Sequence, residues 1–175
     1  MDRVPALMIV IADTSPINYL VRIEQIDLLP ELFGQVFIPP SVRDELMDAG
    51  APEPVRRWIA DSPAWLRVHA PTQSADAALL TAALDAGEHD AIILAQELAA
   101  DQIIIDDMDA RREAERRHLT VTGTVGILRA AAALGLVDQK MRLFACDERI
   151  FTCRRNFSMN SPRRRTNERP SRWQQ

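Results

Sequence analysis

Cysteine is almost missing from this chain. There are two among 175 residues, Cys146 and Cys153, both near the C-terminal end, so the first 140 residues hold neither a disulfide nor a thiolate metal site. Glycine is also scarce, at six, which excludes collagen-like and glycine-rich architectures. No apolar run approaches the roughly 18 residues of a membrane span; the longest, Ala6–Ala12, is seven. Asp2 and Arg3 cancel ahead of that run, and Asp13 follows it where small cleavage-site residues would stand. A strand is therefore expected there, not a signal-peptide core, and the chain reads as cytoplasmic, with no membrane partner. What is present, 47% hydrophobic and 26% charged residues, suits one domain with a real core.

Lysine is the other near-absence: Lys140 is the single one beside 20 arginines. The net charge of -4 hides a division. Residues 1–140 carry 12 basic against 22 acidic residues, whereas residues 141–175 carry nine arginines against three acids. Past Met141 glycine disappears, apolar residues scatter, and Arg-Arg and Arg-Arg-Arg clusters alternate with Ser, Asn and Pro. That segment reads as a basic, disordered tail, and residues 8–140 as the domain.

Within the domain, strands alternate with helices. Leu7–Ala12 is a continuous apolar run of the kind buried on both faces of a parallel sheet. Ser15 is expected to N-cap a helix, with Pro16 at its first position and the helix running on through Asn18 to Ile26. Gln35–Ile38 forms a second strand, closed by Pro39-Pro40. Ser41 starts a helix with Glu45 in its second turn and Gly50 as its stop. Pro52–Ala60 is helical, Trp65–Val68 a short strand or edge, and Ala75–Ala86 a helix stopped by Gly87. Glu88-His89-Asp90 opens a helix through Ala100. Then follow a strand Gln102–Ile105, a helix Asp109–Arg117, a strand Leu119–Val121 and a helix Thr124–Leu134. The pattern predicts a layered α/β fold with a mainly parallel sheet.

Acids punctuate this pattern. Two strands end in carboxylates, at Asp13 and at Asp106-Asp107, and two helices carry Glu45 and the pair Glu88/Asp90 near their starts. Ligands of open α/β sheets bind outside the carboxyl ends of the strands. Converging carboxylates repel one another, and a divalent cation offsets that repulsion. Oxygen-only ligands suit Mg²⁺ or Mn²⁺, which leaves coordination positions for water and phosphate. Residue types and spacing thus point to an acidic metal–phosphate site and no further. Each acid also has a plainer reading: Asp13 as a helix cap, Glu45 as a solvated helix residue, Glu88 and Asp90 as first-turn acids, and Asp106-Asp107 as a turn and cap. The arginine pairs Arg111-Arg112 and Arg116-Arg117 read either as a solvated helix face or as phosphate contacts, since an acidic body needs local positive groups to meet a polyanion.

Five segments together resemble one family. Met8-Ile-Val-Ile-Ala-Asp-Thr-Ser-Pro-Ile-Asn-Tyr-Leu is similar to the opening of PIN-domain proteins, in particular their VapC-like ribonuclease branch. Ile38-Pro-Pro-Ser-Val-Arg-Asp-Glu-Leu, Ala86-Gly-Glu-His-Asp-Ala-Ile-Ile-Leu-Ala, Ile103-Ile-Ile-Asp-Asp-Met-Asp-Ala-Arg and Val121-Thr-Gly-Thr-Val-Gly-Ile-Leu follow in family order, over roughly residues 8–138. The resemblance implies a PIN-like three-layer fold with a mainly parallel central sheet flanked by helices. It places Asp13, Glu45, Asp90 and Asp107 at the four acids of a Mg²⁺/Mn²⁺ site. Ser15 falls at the small hydroxyl that orders the site, and Glu88 and Asp106 are accessory acids. It implies a metal-dependent ribonuclease acting on RNA, commonly the toxin half of a toxin–antitoxin pair with a cognate antitoxin protein, and often a homodimer.

The chain departs from the family in three places. Ile105 stands where the family often has Thr or Ser. Residues 1–7 read as an upstream-start extension, and residues 139–175 resemble a shifted reading frame more than the family's closing helix. Two other functional classes are weighed against a nuclease. One is a degenerate PIN module that binds RNA or a protein without cutting. The other is phosphoryl transfer, which lacks here both the strand-end Lys of a response regulator and the Asp-x-Asp of a phosphatase.

Overall fold

The computed structural model describes residues 8–73 and 83–137. The expectations for residues 1–7, for most of the Ala75–Ala86 helix and for the basic tail with its two cysteines lie outside those residues.

Five short strands form the sheet: β1 (Val10–Ala12), β2 (Val36–Ile38), β3 (Leu66–Val68), β4 (Gln102–Ile104) and β5 (Val121–Thr122). All pair in parallel, in the order β3-β2-β1-β4-β5. Seven helices are seen among the described residues: α1 (Thr14–Arg22), α2 (Leu28–Phe33), α3 (Pro40–Met47), α4 (Glu53–Ala60), α5 (Ala86–Glu97), α6 (Met108–Arg116) and α7 (Thr124–Leu134). None of them is long and apolar enough to cross a membrane.

Side-chain alternation in the central strands builds three layers. Val10 and Ala12 of β1 and Ile104 of β4 face a core shared with α1, α2, α3, α4 and α7. Ile11, Ile103 and Ile105 point the other way, into a core with Ala91, Ile92 and Leu94 of α5 and Ala110 and Ala114 of α6. A strand buried on both faces has no polar position to offer, which is why β1 reads as an unbroken apolar run and β4 as one after the half-buried Gln102. The expected three-layer α/β fold is therefore what the chain adopts.

Helix starts differ from the sequence reading in ways that bear on the site. Asp13, not Ser15, is the N-cap of α1, and the Ser15 N–H donates to Asp13 Oδ2 at 3.3 Å. Gly87 does not stop a helix: it lies in the first turn of α5, whose N-cap is Asp85. Pro40 occupies the first turn of α3 after Pro39, where a missing N–H has no intrahelical partner to lose. The short helix α2 was not foreseen. Its Pro30 resembles a breaker but falls at the third helical residue, still within the turn that tolerates it.

Sheet order places the site. The chain leaves β1 toward β2 and β3 on one side and returns to β4 and β5 on the other, so the carboxyl ends of β1 and β4 flank the switch point of the sheet, the position at which such sheets bind ligands. Asp13 follows β1, Asp106 and Asp107 follow β4, and the backbone N–H of Asp13 donates to Ile104 O at 3.0 Å.

Candidate active site

Asp13 is 2% exposed. Its Oδ2 accepts the Ser15 amide, while Oδ1 is buried with no hydrogen-bond partner. Burial pushes this carboxyl well above its usual range, and the charges of Asp85 and Glu88 push the same way, against the lowering effect of the Thr14 and Ser15 amides. An orphaned, buried carboxylate oxygen facing other acids is costly unless something positive meets it.

Glu45 comes from the second turn of α3 and is half-buried. The Thr14 hydroxyl donates to its Oε2 at 2.6 Å and the Gly87 amide to its Oε1 at 3.2 Å. Burial raises its pKa, the Thr14 bond opposes the rise, and the charges of Asp85 and Asp90 add to it.

Glu88 forms a capping box with Asp85: its N–H donates to Asp85 Oδ1 at 2.8 Å, and its Oε2 accepts the Asp85 amide at 3.0 Å. Burial lifts its pKa to about 7, with smaller contributions from the charges of Asp85, Asp107 and Glu45. Asp90, half-buried, lies on the same helix, and its charge reaches Glu45.

The end of β4 divides its two acids. Asp107 is exposed and caps α6, its Oδ1 accepting the amides of Asp109 and Ala110 at 2.8 and 3.0 Å. Asp106 is turned inward, where it accepts the amide and the hydroxyl of the fully buried Thr124, at 3.0 and 2.5 Å, and so fastens β4 to the start of α7. Gly123 lets them meet: a Cβ there would lie 2.7 Å from Asp106 Oδ1 and 2.8 Å from Arg111 Nη1.

The start of α5 is thus the hub of the acids: the charges of Asp85 and Glu88 reach Asp13, those of Asp85 and Asp90 reach Glu45, and that of Asp107 reaches Glu88. The structure does not draw them into a cage: among the described residues no three His, Cys, Asp or Glu side chains are grouped closely enough to hold a metal ion. A divalent cation fits what is there in two respects, the unpartnered Asp13 Oδ1 and an all-oxygen donor set.

The basic residues separate as well. Arg111 leans back to Ile105 O at 3.4 Å, and Arg112 pairs with Asp109 at 3.1 Å on the exposed face of α6. Arg117 instead forms a largely buried pair with Glu113 at 2.9 Å and donates to Gln96, bracing α6 against α5, so it is neither a solvated residue nor a phosphate contact.

Three participants were not singled out from the sequence: Thr14, Gly87 and Asp85. Asp85 had a signal, since Asp85-x-x-Glu88 has capping-box spacing.

A family model described as DUF3368: PIN domain matches residues 9–146. The chain belongs to the PIN-domain family. PIN domains are generally nucleases that bind nucleic acid and usually depend on divalent metal ions, which supports a nuclease-like role here. Among solved structures, the chain is similar to a PilT N-terminus domain protein, SSO1118, from the hyperthermophilic archaeon Sulfolobus solfataricus P2. The identity is 12% and the TM-score 0.47, with 80% of this chain and 95% of that chain covered. No curated protein matches the sequence.

Proposed function

We propose that this PIN domain is a Mg²⁺- or Mn²⁺-dependent endoribonuclease that hydrolyses RNA phosphodiester bonds, and that it is the toxin of a type II toxin–antitoxin pair, held in check by a cognate antitoxin protein and working as a homodimer. The observation that carries the reading is the buried, unpartnered Asp13 Oδ1 at the sheet's switch point, with the charges of Asp85 and Glu88, at the start of α5, in its field. Asp13, Asp90 and Asp107 would hold the cation, and Glu45 would join directly or through water. When bound, the ion lowers the pKa of a water and offsets charge developing on the phosphate.

The remaining work belongs to the chain. Ser15 steadies Asp13 through its amide. Glu88 keeps the first turn of α5 in place. Asp106 fixes the strand end that carries Asp107. Arg111 and Arg112 hold RNA phosphates at the rim, a task that falls to few groups in a body with 22 acids against 12 bases over residues 1–140. The test is cleavage of single-stranded RNA in Mn²⁺ by wild type and Asp13→Ala. Wild type should cut and the variant should not; a variant that cuts as fast as wild type overturns the mechanism.

A second reading is a PIN module that binds RNA or a protein without cleaving. The structural engagements of Glu45, Asp106 and Asp107 favour it, because acids retained for hydrogen bonding need no cation. RNA binding intact, with no heat of Mn²⁺ binding, would select it.

A further inference from the structure

The Glu45 carboxylate is the point at which three helices meet. It reaches from α3 to the first residue of α1, through the Thr14 hydroxyl at 2.6 Å, and to the first turn of α5, through the Gly87 amide at 3.2 Å. Thr14 is 7% exposed, so its hydroxyl is spent on this bond and not on solvent. Gly87 packs tightly against the carboxylate: a Cβ there would lie 3.0 Å from each Glu45 oxygen, so that a side chain would push Glu45 aside. The two donors come from different helices and take one oxygen each, which restricts rotation of the carboxylate and leaves its remaining lone pairs in set directions. Thr14 is also covalently next to Asp13, whose Oδ1 is buried and unpartnered. One peptide unit therefore carries both the free oxygen of the site and the donor that orients the neighbouring acid.

We propose that Thr14 is a positioning residue of this site: its hydroxyl, working with the Gly87 amide, holds Glu45 in the orientation from which it supports a divalent cation beside Asp13. The inference rests on the metal-dependent reading above and adds a residue to it. Thr14 touches neither substrate nor cation; it acts through Glu45. A hydroxyl donating to an ionised carboxylate is among the stronger hydrogen bonds, and partners of this outer kind are typically worth about 10- to 100-fold in metal affinity or activity.

The experiment uses the full chain and five proteins: wild type, Thr14→Val, Thr14→Ser, Glu45→Ala and the double variant Thr14→Val/Glu45→Ala. Mn²⁺ affinity is read by calorimetry, cleavage of single-stranded RNA by a kcat and KM split, and folding by thermal melts. Thr14→Val should loosen Mn²⁺ by about tenfold or more and lower kcat with KM for RNA unchanged. Thr14→Ser, which keeps the donor, should recover most of the loss. In the Glu45→Ala background, Thr14→Val should change nothing further. A Thr14→Val protein that melts lower but binds Mn²⁺ as wild type does would make the bond structural only and overturn the proposal. Equal damage in the Glu45→Ala background would overturn it too. If Thr14→Val does not fold, Gly87→Ala loads the same carboxylate from α5, and unchanged Mn²⁺ affinity there overturns the proposal. Wild type that neither binds Mn²⁺ nor cuts RNA sinks the nuclease reading and this inference together. Wild type that binds and cuts, with Thr14→Val indistinguishable from it, sinks this inference alone.

Discussion

Asp13 Oδ1 has neither solvent nor a donor to meet it, and the carboxyl is held well above its ordinary range by burial and by the nearby charges of Asp85 and Glu88. Asp13→Asn keeps an acceptor for the Ser15 amide, removes the buried charge and turns an NH₂ toward the neighbouring acids. At pH 8 the variant should be more stable than the metal-free wild type by on the order of 1–3 kcal/mol, read as a higher urea midpoint at equal slope, while losing Mn²⁺-dependent cleavage; a lower midpoint would contradict this account. Asp106 predicts the opposite. Asp106→Ala strips both partners from the fully buried Thr124, and an unsatisfied buried polar group costs about 1–3 kcal/mol. That loss should appear as a lower urea midpoint. The family position of Asp106 suggested an accessory acid, but no spacing rule could say that it would turn inward, because its partner is 18 residues away. Ile105 shows the reverse. Where the family often carries a hydroxyl, this side chain lies wholly within the α5–α6 core and has no hydrogen-bonding group to offer.

The helices show a recurring compromise at their ends. Glu24, Ala99 and His118 follow α1, α5 and α6 with φ of 56°, 47° and 61°, and the next residue's amide closes each end, as Ala100 does on Ala95 O at 2.8 Å. This left-handed geometry favours glycine, and other residues adopt it at a penalty of roughly 1–2 kcal/mol. Ala99→Gly should therefore stabilise the fold by about 0.5–1 kcal/mol after the entropy of glycine in the unfolded chain is set against that relief, seen as a higher Tm with unchanged secondary structure. These ends were hard to place from the sequence for the same reason: the usual stop residue is absent. The opposite error arose at Gly87, which looked like a stop and lies inside α5, where a Cβ would come within 3.0 Å of the Glu45 carboxylate. Helix α2 hid behind Pro30, whose early position removes its usual meaning.

At the scale of the molecule, the site holds carboxyl groups whose charged forms are disfavoured by burial and, to a lesser degree, by one another. Glu88 is lifted from 4.5 to about 7, and Asp13 and Glu45 are raised as well, all chiefly by burial. An acid whose folded pKa lies above its unfolded value binds its proton more tightly when folded. Its contribution is therefore fully present below the unfolded pKa and is lost as pH climbs through the folded one. For Glu88 that window runs from about 4.5 to about 7. The metal-free protein should melt at a higher temperature at pH 5.5 than at pH 8, and added Mn²⁺ should raise the pH 8 value toward the other. A melting temperature that rises with pH across this interval would show that burial does not disfavour the charged acids as described.

The sequence by itself determined the layers and the ends. A strand covered on both faces must be apolar wherever it is buried, so β1 and the isoleucines of β4 announced themselves, and the acids that close them could be named from the sequence. It also carried the family, because five motifs kept their order. Only the tertiary structure decided what each acid would touch. Thr14 and Glu45 are 31 positions apart, Gly87 and Glu45 are 42 apart, and Asp106 and Thr124 are 18 apart. Such pairs share no period or spacing. They come within hydrogen-bonding distance only because the fold sets the starts of α1, α3, α5 and α7 near one edge of the sheet, and contacts between residues so far apart in the chain leave no local pattern to read.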